Sequence, residues 1–250
     1  MYLLNNFIQQ QDFETHVLNT IKIYEDVLKS INLQQFNSNI IDPIKLTFDK
    51  YVFNKTFEEI ITLELQRQRD KTNTNAIGYF HQNIFKYIKN CEVPKTGFDV
   101  IFTDYNGSKI FVEMKNKHNT MNSSASQKIY MNMQNKLLQN KNNLCFLVEI
   151  LAPKSRNIVW NCRVDKQLLS NENIRRVSID KFYEIVTKIP NAFYLLCKQI
   201  PITIENLIAK NIIRTQEKDT VISELKTKNA NLLKALYLLA FKTYNGFENF

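Results

Sequence analysis

Apolar residues recur at steps of three and four over residues 12–32, where Phe13, Val17, Ile21, Tyr24 and Leu28 share one side. That spacing predicts an amphipathic helix with Asp12 as its N-cap. Phe36–Asp49 breaks at Pro43 and resumes. Residues 55–69 predict a second long helix, opened by Thr56 with Glu59 three positions on as a capping box. The polar run Asp70–Asn75, DKTNTN, predicts a turn. Ala76–Ile88 then places Ile77, Phe80, Ile84 and Ile88 on one helix face. His81 lies on that face too and is expected to be a core histidine.

The period then changes from helical to alternating. In GFDVIFTDYNGSKIFVEMK, Gly97 to Lys115, Val100–Phe102 and Ile110–Val112 flank a turn at Asn106-Gly107, which predicts a β-hairpin. Residues 116–127 predict a long polar loop and residues 128–138 a helix. Leu144–Leu151, LCFLVEIL, is a continuous apolar run, as in a strand covered on both faces. Asn157–Val164 predicts a neighbouring strand, and Ser178 caps another helix. The rest reads as helical, with a leucine-rich pattern at Val221, Leu225, Leu232, Leu236 and Leu239. Strand, crossover helix and strand make a βαβ unit. The expected fold is α/β: a mixed sheet carrying an acidic hairpin, flanked by helices, with extra N- and C-terminal helices. One domain over 1–250 is expected, with a helical part at 1–55, a core at 56–200 and a helical appendage at 201–250.

Composition narrows the partners. The chain of 250 residues is 44% hydrophobic, enough for a core, which excludes wholesale disorder. A formal net charge of +9 favours an anionic partner, nucleic acid or a membrane surface, with solubility alone as the plainer reading. The four cysteines form no C-x₂-C pair, so they read as reduced core thiols of a cytosolic protein rather than a zinc site. The N-terminus has neither a basic segment nor a long apolar one, and Leu232–Phe241 is too short to span a bilayer. A soluble cytoplasmic protein is expected. A membrane-surface role ranks last, because the C-terminal helix is not strongly basic on one face.

The charges at the hairpin ends carry the candidate chemistry. Asp99 opens the first strand, and Glu113 and Lys115 close the second. Charges at the ends of half-buried strands are costly unless solvated, paired or metal-bound. Two carboxylates chelate a hard cation such as Mg²⁺, with the backbone carbonyl of Met114 as a further ligand. Lys115, two residues from Glu113 and so on the same strand face, would position an attacking water. Register decides the matter. A two-residue turn would pair Asp99 with Met114 and point it away from Glu113. A three-residue loop, Tyr105-Asn106-Gly107, pairs Asp104 with Ser108 and Asp99 with Glu113, with Gly107 in the left-handed position, so the site demands either this loop or a bulge elsewhere. On spacing alone, a surface hairpin with solvated ends is the better explanation of these charges; the adjoining apolar runs, the flanking helices and the basic balance shift the reading toward a metal site.

Two further polar segments suit nucleic acid. Lys117, His118, Asn119, Asn122, Ser123, Ser124 and Gln127 follow the acidic strand directly and suit phosphate and base-edge contacts. Arg67, Arg69, Lys71, Asn73 and Asn75 supply candidate base readers, with Arg156, Arg163, Arg175 and Arg176 as rivals.

The acidic hairpin followed by helix and strand resembles the PD-(D/E)XK nuclease superfamily. IIDPIKLTFDKYVFN, RQRDKTNTNAIGYFHQNIF, GFDVIF, VEMKNKHNTMNSS and RRVSIDKFYEIVT, between Phe36 and Tyr194, are similar to type II restriction endonucleases that cut GGNCC- or GGWCC-like sites. The resemblance implies a restriction-endonuclease-like fold and a Mg²⁺-dependent enzyme cutting both strands of a short palindrome, with a cognate methyltransferase acting on the same site. It assigns Asp99 and Glu113 to metal and Lys115 to the nucleophilic water. The superfamily often adds a Glu from the preceding helix; that helix here offers His81 and Gln82, so Glu64, one predicted helix earlier, is the candidate. A palindromic target implies a homodimer. Two alternatives are a structure-specific repair or recombination nuclease of the same superfamily and a catalytically inactive DNA-binding module. The intact set Asp99, Glu113 and Lys115 argues against the second.

Overall fold

The computed structural model describes residues 2–117, 121–210 and 217–243. In chain order the elements are α1 (Gln10–Val27), α2 (Leu33–Phe36), α3 (Pro43–Val52), α4 (Phe57–Asn83), β1 (Cys91–Glu92), β2 (Val100–Thr103) and β3 (Lys109–Lys117). There follow α5 (Ser123–Gln139), β4 (Leu144–Leu151), β5 (Asn157–Val159), β6 (Cys162–Val164), β7 (Gln167–Leu169) and β8 (Ile174–Ser178). The chain closes with α6 (Ile179–Thr187), α7 (Ala192–Lys210), α8 (Val221–Lys228) and α9 (Leu232–Phe241). It divides into two compact units, Met1–Ile21 with Ile77–Ile212, and Lys22–Ala76 with Ile213–Phe250. Both are discontinuous in sequence.

The first unit holds a mixed sheet of order β1-β2-β3-β4-β8-β5. β3, β4 and β8 run parallel, and β1, β2 and β5 pair antiparallel to their neighbours. The β3–α5–β4 passage is the expected strand–helix–strand unit. One sheet face packs Val100, Phe102, Val112, Met114, Phe146 and Val148 against Phe85, Phe182 and Tyr183. The other packs Phe111, Cys145, Leu147 and Ile174 against Tyr130 and Met133 of α5 and against Trp160. β4 is thus covered on both faces, as its unbroken apolar run requires. The expected single strand Asn157–Val164 is in fact two. Trp160 turns into the core between them, and β6 leaves to pair with β7 in a separate hairpin.

His16 and His81 lie in this unit. His16 is buried and bonds the Phe80 carbonyl at 2.9 Å. His81 is mostly buried, and its Nδ1 finds no partner among the described residues, so it sits in the core unsatisfied. Burial, then the charge of His16, lowers the His81 pKa from 6.5 to about 4. Burial lowers that of His16 too, against the Phe80 carbonyl. With both values depressed, the unfolded chain binds the protons first. This stability is fully present above pH 6.5 and drains away as pH falls toward 4, by about 3 kcal/mol for His81. Urea melts at pH 7 and pH 4.5 should show the loss, and His81→Leu should flatten part of it.

The second unit is helical. Leu33, Phe36, Ile41, Leu46, Ile60, Ile61 and Leu65 pack with Val221, Leu225, Leu232, Ala235 and Leu236. Pro43 does not merely interrupt; it opens α3, with Asp42 capping the Ile44 and Lys45 N–H groups at 3.0 Å. The Thr56–Glu59 capping box is present, with Thr56 N–H on Glu59 at 2.8 Å and Glu59 N–H on Thr56 at 3.2 Å. The leucine-rich C-terminal pattern is two helices, α8 and α9, parted at Asn229–Asn231, where Asn231 caps α9. DKTNTN is helix, not turn. α4 runs through it because the segment lacks Gly and Pro, and Thr72 satisfies its hydroxyl on the Gln68 carbonyl at 3.2 Å.

All four cysteines are free; Cys145 and Cys162 are buried as expected, whereas Cys197 is exposed. Among the described residues no helix is long and apolar enough to cross a membrane.

Candidate active site

The hairpin loop is the three-residue form. Thr103 pairs with Lys109, the Asp104 N–H meets the Ser108 carbonyl at 2.8 Å, and Gly107 takes φ +77°. A Cβ at position 107 would meet no neighbour, so its cost is backbone strain alone. Gly107→Ala should cost about 1–2 kcal/mol, read from urea denaturation.

A second irregularity appears where the charges begin. Val112 pairs with Val100 in the ladder, yet its carbonyl also accepts the Asp99 N–H at 2.9 Å. Two residues of the first strand thus oppose one of the second, which is the pattern of a β-bulge. Asp99 turns into the ladder instead of standing off it, and its Oδ2 accepts the Met114 N–H at 2.7 Å. The Gln82 amide at the end of α4 holds the Asp99 carbonyl at 3.3 Å. Glu113 and Lys115 stand two apart on β3, and Lys115 Nζ donates to Glu113 Oε1 at 2.6 Å. Both are half-buried, at 22% and 29% side-chain exposure, so water and a ligand still reach them.

Burial raises the Asp99 pKa. The Met114 N–H pulls it down, the Glu113 charge pushes it up and the Lys115 ammonium pulls it down. Asp99 therefore feels both of its expected partners. Two carboxylates at one strand end, one destabilised as an anion, form a site whose charge a cation would relieve. Glu113 also faces a cleft of about 250 Å³ lined by Gly97, Phe98, Asn132, Asn135 and Lys136. Among the described residues no group of three or more His, Cys, Asp or Glu converges. A metal here would draw on two carboxylates and complete its shell with main-chain, water or substrate oxygens.

Glu64 has other employment. It lies in the second unit, buried, with its oxygens taken by Arg67 at 2.7 and 2.5 Å and by Gln68 at 3.3 Å. Arg69 is likewise used internally. It is 5% exposed and forks onto Asp219 at 2.9 and 2.6 Å, with the Val27 carbonyl at 2.8 Å. A guanidinium so occupied reads no base edge in this conformation. Arg67, Lys71 and Asn75 are exposed and line a cavity of about 600 Å³, whereas Asn73 is half-buried.

The predicted long loop is shorter than expected, because β3 extends to Lys117 and α5 begins at Ser123. Asn122 is the N-cap, accepting the Ala125 N–H at 2.8 Å. Ser123 and Ser124 are exposed in the first turn and Gln127 is half-buried beyond them. His118 and Asn119 lie outside the described residues.

One cluster went unread in the sequence. Glu149, inside the apolar strand β4, is 1% exposed and is held by both Arg156 and Arg176. The signal was present: a lone carboxylate in LCFLVEIL needs a buried cation. Ser178 stands at the N-cap of α6, but its hydroxyl serves the Arg156 main chain rather than a helix N–H.

Known proteins are similar along most of the chain. The family model described as Eco47II restriction endonuclease matches residues 5–209. The type II restriction enzyme Sau96I of Staphylococcus aureus is 32% identical over 81% of this chain and 80% of its own. The type II restriction enzyme Eco47II of Escherichia coli is 29% identical over 71% and 77%. With a family match spanning most of its length and a relative 32% identical over 81% of it, this chain belongs to the Eco47II restriction endonuclease family.

Proposed function

We propose that the protein is a site-specific deoxyribonuclease of the PD-(D/E)XK type that uses Mg²⁺ to hydrolyse both strands of a short palindromic G·C-rich site, GGNCC- or GGWCC-like. The observation that carries this reading is the pairing of Glu113 with Lys115 at 2.6 Å beside Asp99, whose carboxylate sits on the Met114 N–H. Type II restriction endonucleases generally use divalent metal ions, and the donor set here is all oxygen, as Mg²⁺ prefers. Asp99 and Glu113 would hold the ion. A strand residue directs its N–H and C=O to the same side, so the Met114 carbonyl faces the side where β2 has ended and would be a third donor.

A bound divalent cation supplies a lowered pKa for its water and neutralises charge on the phosphate. The chain's own groups do the rest. The Lys115 ammonium donates to the attacking water oxygen and favours its hydroxide form. The bulge at Asp99, braced by Gln82, keeps the first carboxylate beside β3. The water oxygen bonds to phosphorus as the opposite P–O ester bond breaks in line, and the leaving oxygen takes up a proton. Exposed Arg67, Lys71, Asn75, Lys117, Asn122, Ser123 and Ser124, with half-buried Gln127, are the DNA-contact set, to which His118 and Asn119 are added from the sequence.

A palindrome matches two-fold protein symmetry, so the working form is a homodimer. The setting is the cytoplasm, where a cognate methyltransferase protects host DNA at the same site. Digestion of a sequenced plasmid with Mg²⁺, followed by sequencing of the fragment ends, tests this. Ends that share one GGNCC- or GGWCC-like palindrome are expected. Ends with no common sequence would leave a nuclease without the proposed specificity.

A further inference from the structure

Phe111 and Glu113 stand two apart on β3 and so face the same way. Phe111 packs with Tyr130 and Met133 of α5, so Glu113 is turned toward that helix. One side of its cleft is Gly97 and Phe98; the other is Asn132, Asn135, Lys136 and Gln139 of α5. These four occupy positions i, i+3, i+4 and i+7 and form one helix face. Tyr130, Met133 and Leu137 form another, which is buried. The sequence analysis assigned the exposed face no role.

Its charge is one-sided. No Asp or Glu occurs between Glu113 and Glu149, in a chain with 24 acidic residues among 250. That span carries Lys115, Lys117, Lys128, Lys136 and Lys141. A helix face that meets only solvent is commonly laced with charges of both signs. A face without carboxylates, beside a site that must receive a phosphate, does not repel a polyanion. Lys136 donates to Gln139 Oε1 at 2.9 Å and lies 4.7 Å from the centre of the Phe111 ring. Both partners are neutral, so they hold the ammonium at the cleft wall without cancelling its charge. Asn132, Asn135 and Gln139 are exposed, and the Gln139 amide nitrogen can still donate. From Asn132 to Gln139 the helix rises ~10 Å, about three nucleotide steps of one DNA strand.

We infer that this face of α5 guides the DNA strand being cut: Lys136 meets one of its phosphates, and Asn132, Asn135 and Gln139 hydrogen-bond its sugar–phosphate backbone. The scissile phosphate has to reach Glu113 in the same cleft, so the backbone, not the base edges, is what α5 meets. Such contacts fix where the strand lies and carry no sequence information. This rests on the nuclease reading, which places the scissile phosphate at Glu113.

The test is duplex binding by fluorescence anisotropy over a range of salt, without added metal. Lys136→Gln should make the slope of log affinity against log salt shallower by about 0.9. Lys198→Gln removes the same charge from α7, which packs against the opposite sheet face, and should keep the wild-type slope. Asn132→Ala/Asn135→Ala removes no charge. It should keep the slope and weaken binding roughly tenfold or more, alike on duplexes of different sequence. In cleavage it should raise KM and leave kcat unchanged. Wild-type slope in Lys136→Gln together with wild-type affinity in the double variant, each folded by near-UV circular dichroism, would overturn the inference. So would a double variant that loses affinity for one sequence only, since α5 would then read bases. If the nuclease reading alone fails, wild type cleaves nothing with any divalent metal, yet the Lys136→Gln slope still moves. If this inference alone fails, wild type cleaves and the variants bind as wild type does.

Discussion

Replacing Lys115 by Ala is expected to reduce the rate of DNA cleavage about 10²–10⁴-fold, the span usual for loss of a positioned proton-handling group. Asp99→Asn should be more severe. Asn retains an oxygen for the Met114 N–H, so the strand end stays in place, but one of the two anionic donors proposed for the metal is gone. Several kcal/mol of charge stabilisation then vanish at about tenfold in rate per 1.4 kcal/mol, giving a loss of about 10³-fold or more. Neither change should unfold the protein. The Glu113–Lys115 pair is partly exposed, and such pairs contribute at most about 1 kcal/mol. Lys115→Arg should not restore the rate, because a planar fork does not place its charge where the compact ammonium does. Single-turnover cleavage alongside equilibrium DNA binding separates these effects. Rate should collapse while affinity holds.

Arg69→Ala is expected to destabilise the protein by about 3–5 kcal/mol, the usual cost of stripping one partner from a buried ion pair. Asp219 would keep its charge, with the Ile31 N–H at 2.9 Å as its main-chain partner among the described residues. The Val27 carbonyl would lose a donor as well. For a chain of this length the melting temperature should fall by roughly 10 °C or more. Burial pushes the Asp219 pKa up, but hydrogen bonds from Arg69 and Ile31 and the Arg69 charge outweigh it and hold it below the usual range. The pair therefore contributes stability above the ordinary carboxylate pKa near 4 and loses it only as pH falls below that. Thermal melts of wild type and Arg69→Ala at pH 7 check the first statement. If Arg69 instead reads a base, the variant would melt like wild type and bind cognate DNA more weakly.

That contrast shows how much could be read from the chain. The hairpin was legible because Gly107 and the apolar alternation fix one register, and that register brings Asp99 and Glu113 to one strand end. A bulge could be named only as an alternative to the three-residue loop; that both occur, and that the bulge turns Asp99 onto Met114, was not legible, because it depends on where β2 and β3 part. The turn expected at DKTNTN failed because polar composition is a weak helix breaker without Gly or Pro. Arg69 looked like a base reader because its partner Asp219 lies 150 positions away, a distance that local patterns do not bridge. Glu149 was passed over inside an apolar run, although one buried carboxylate demands cations from elsewhere in the fold.

The central claim is that the Asp99–Glu113 strand end cuts DNA. Its most direct test is one plasmid digested in Mg²⁺ by equal amounts of wild type and Glu113→Gln, prepared alike and matched for DNA binding. Discrete fragments from wild type and intact plasmid from Glu113→Gln are predicted. The same fragments from both proteins, or none from wild type across a range of divalent metals and DNA sequences, would contradict it.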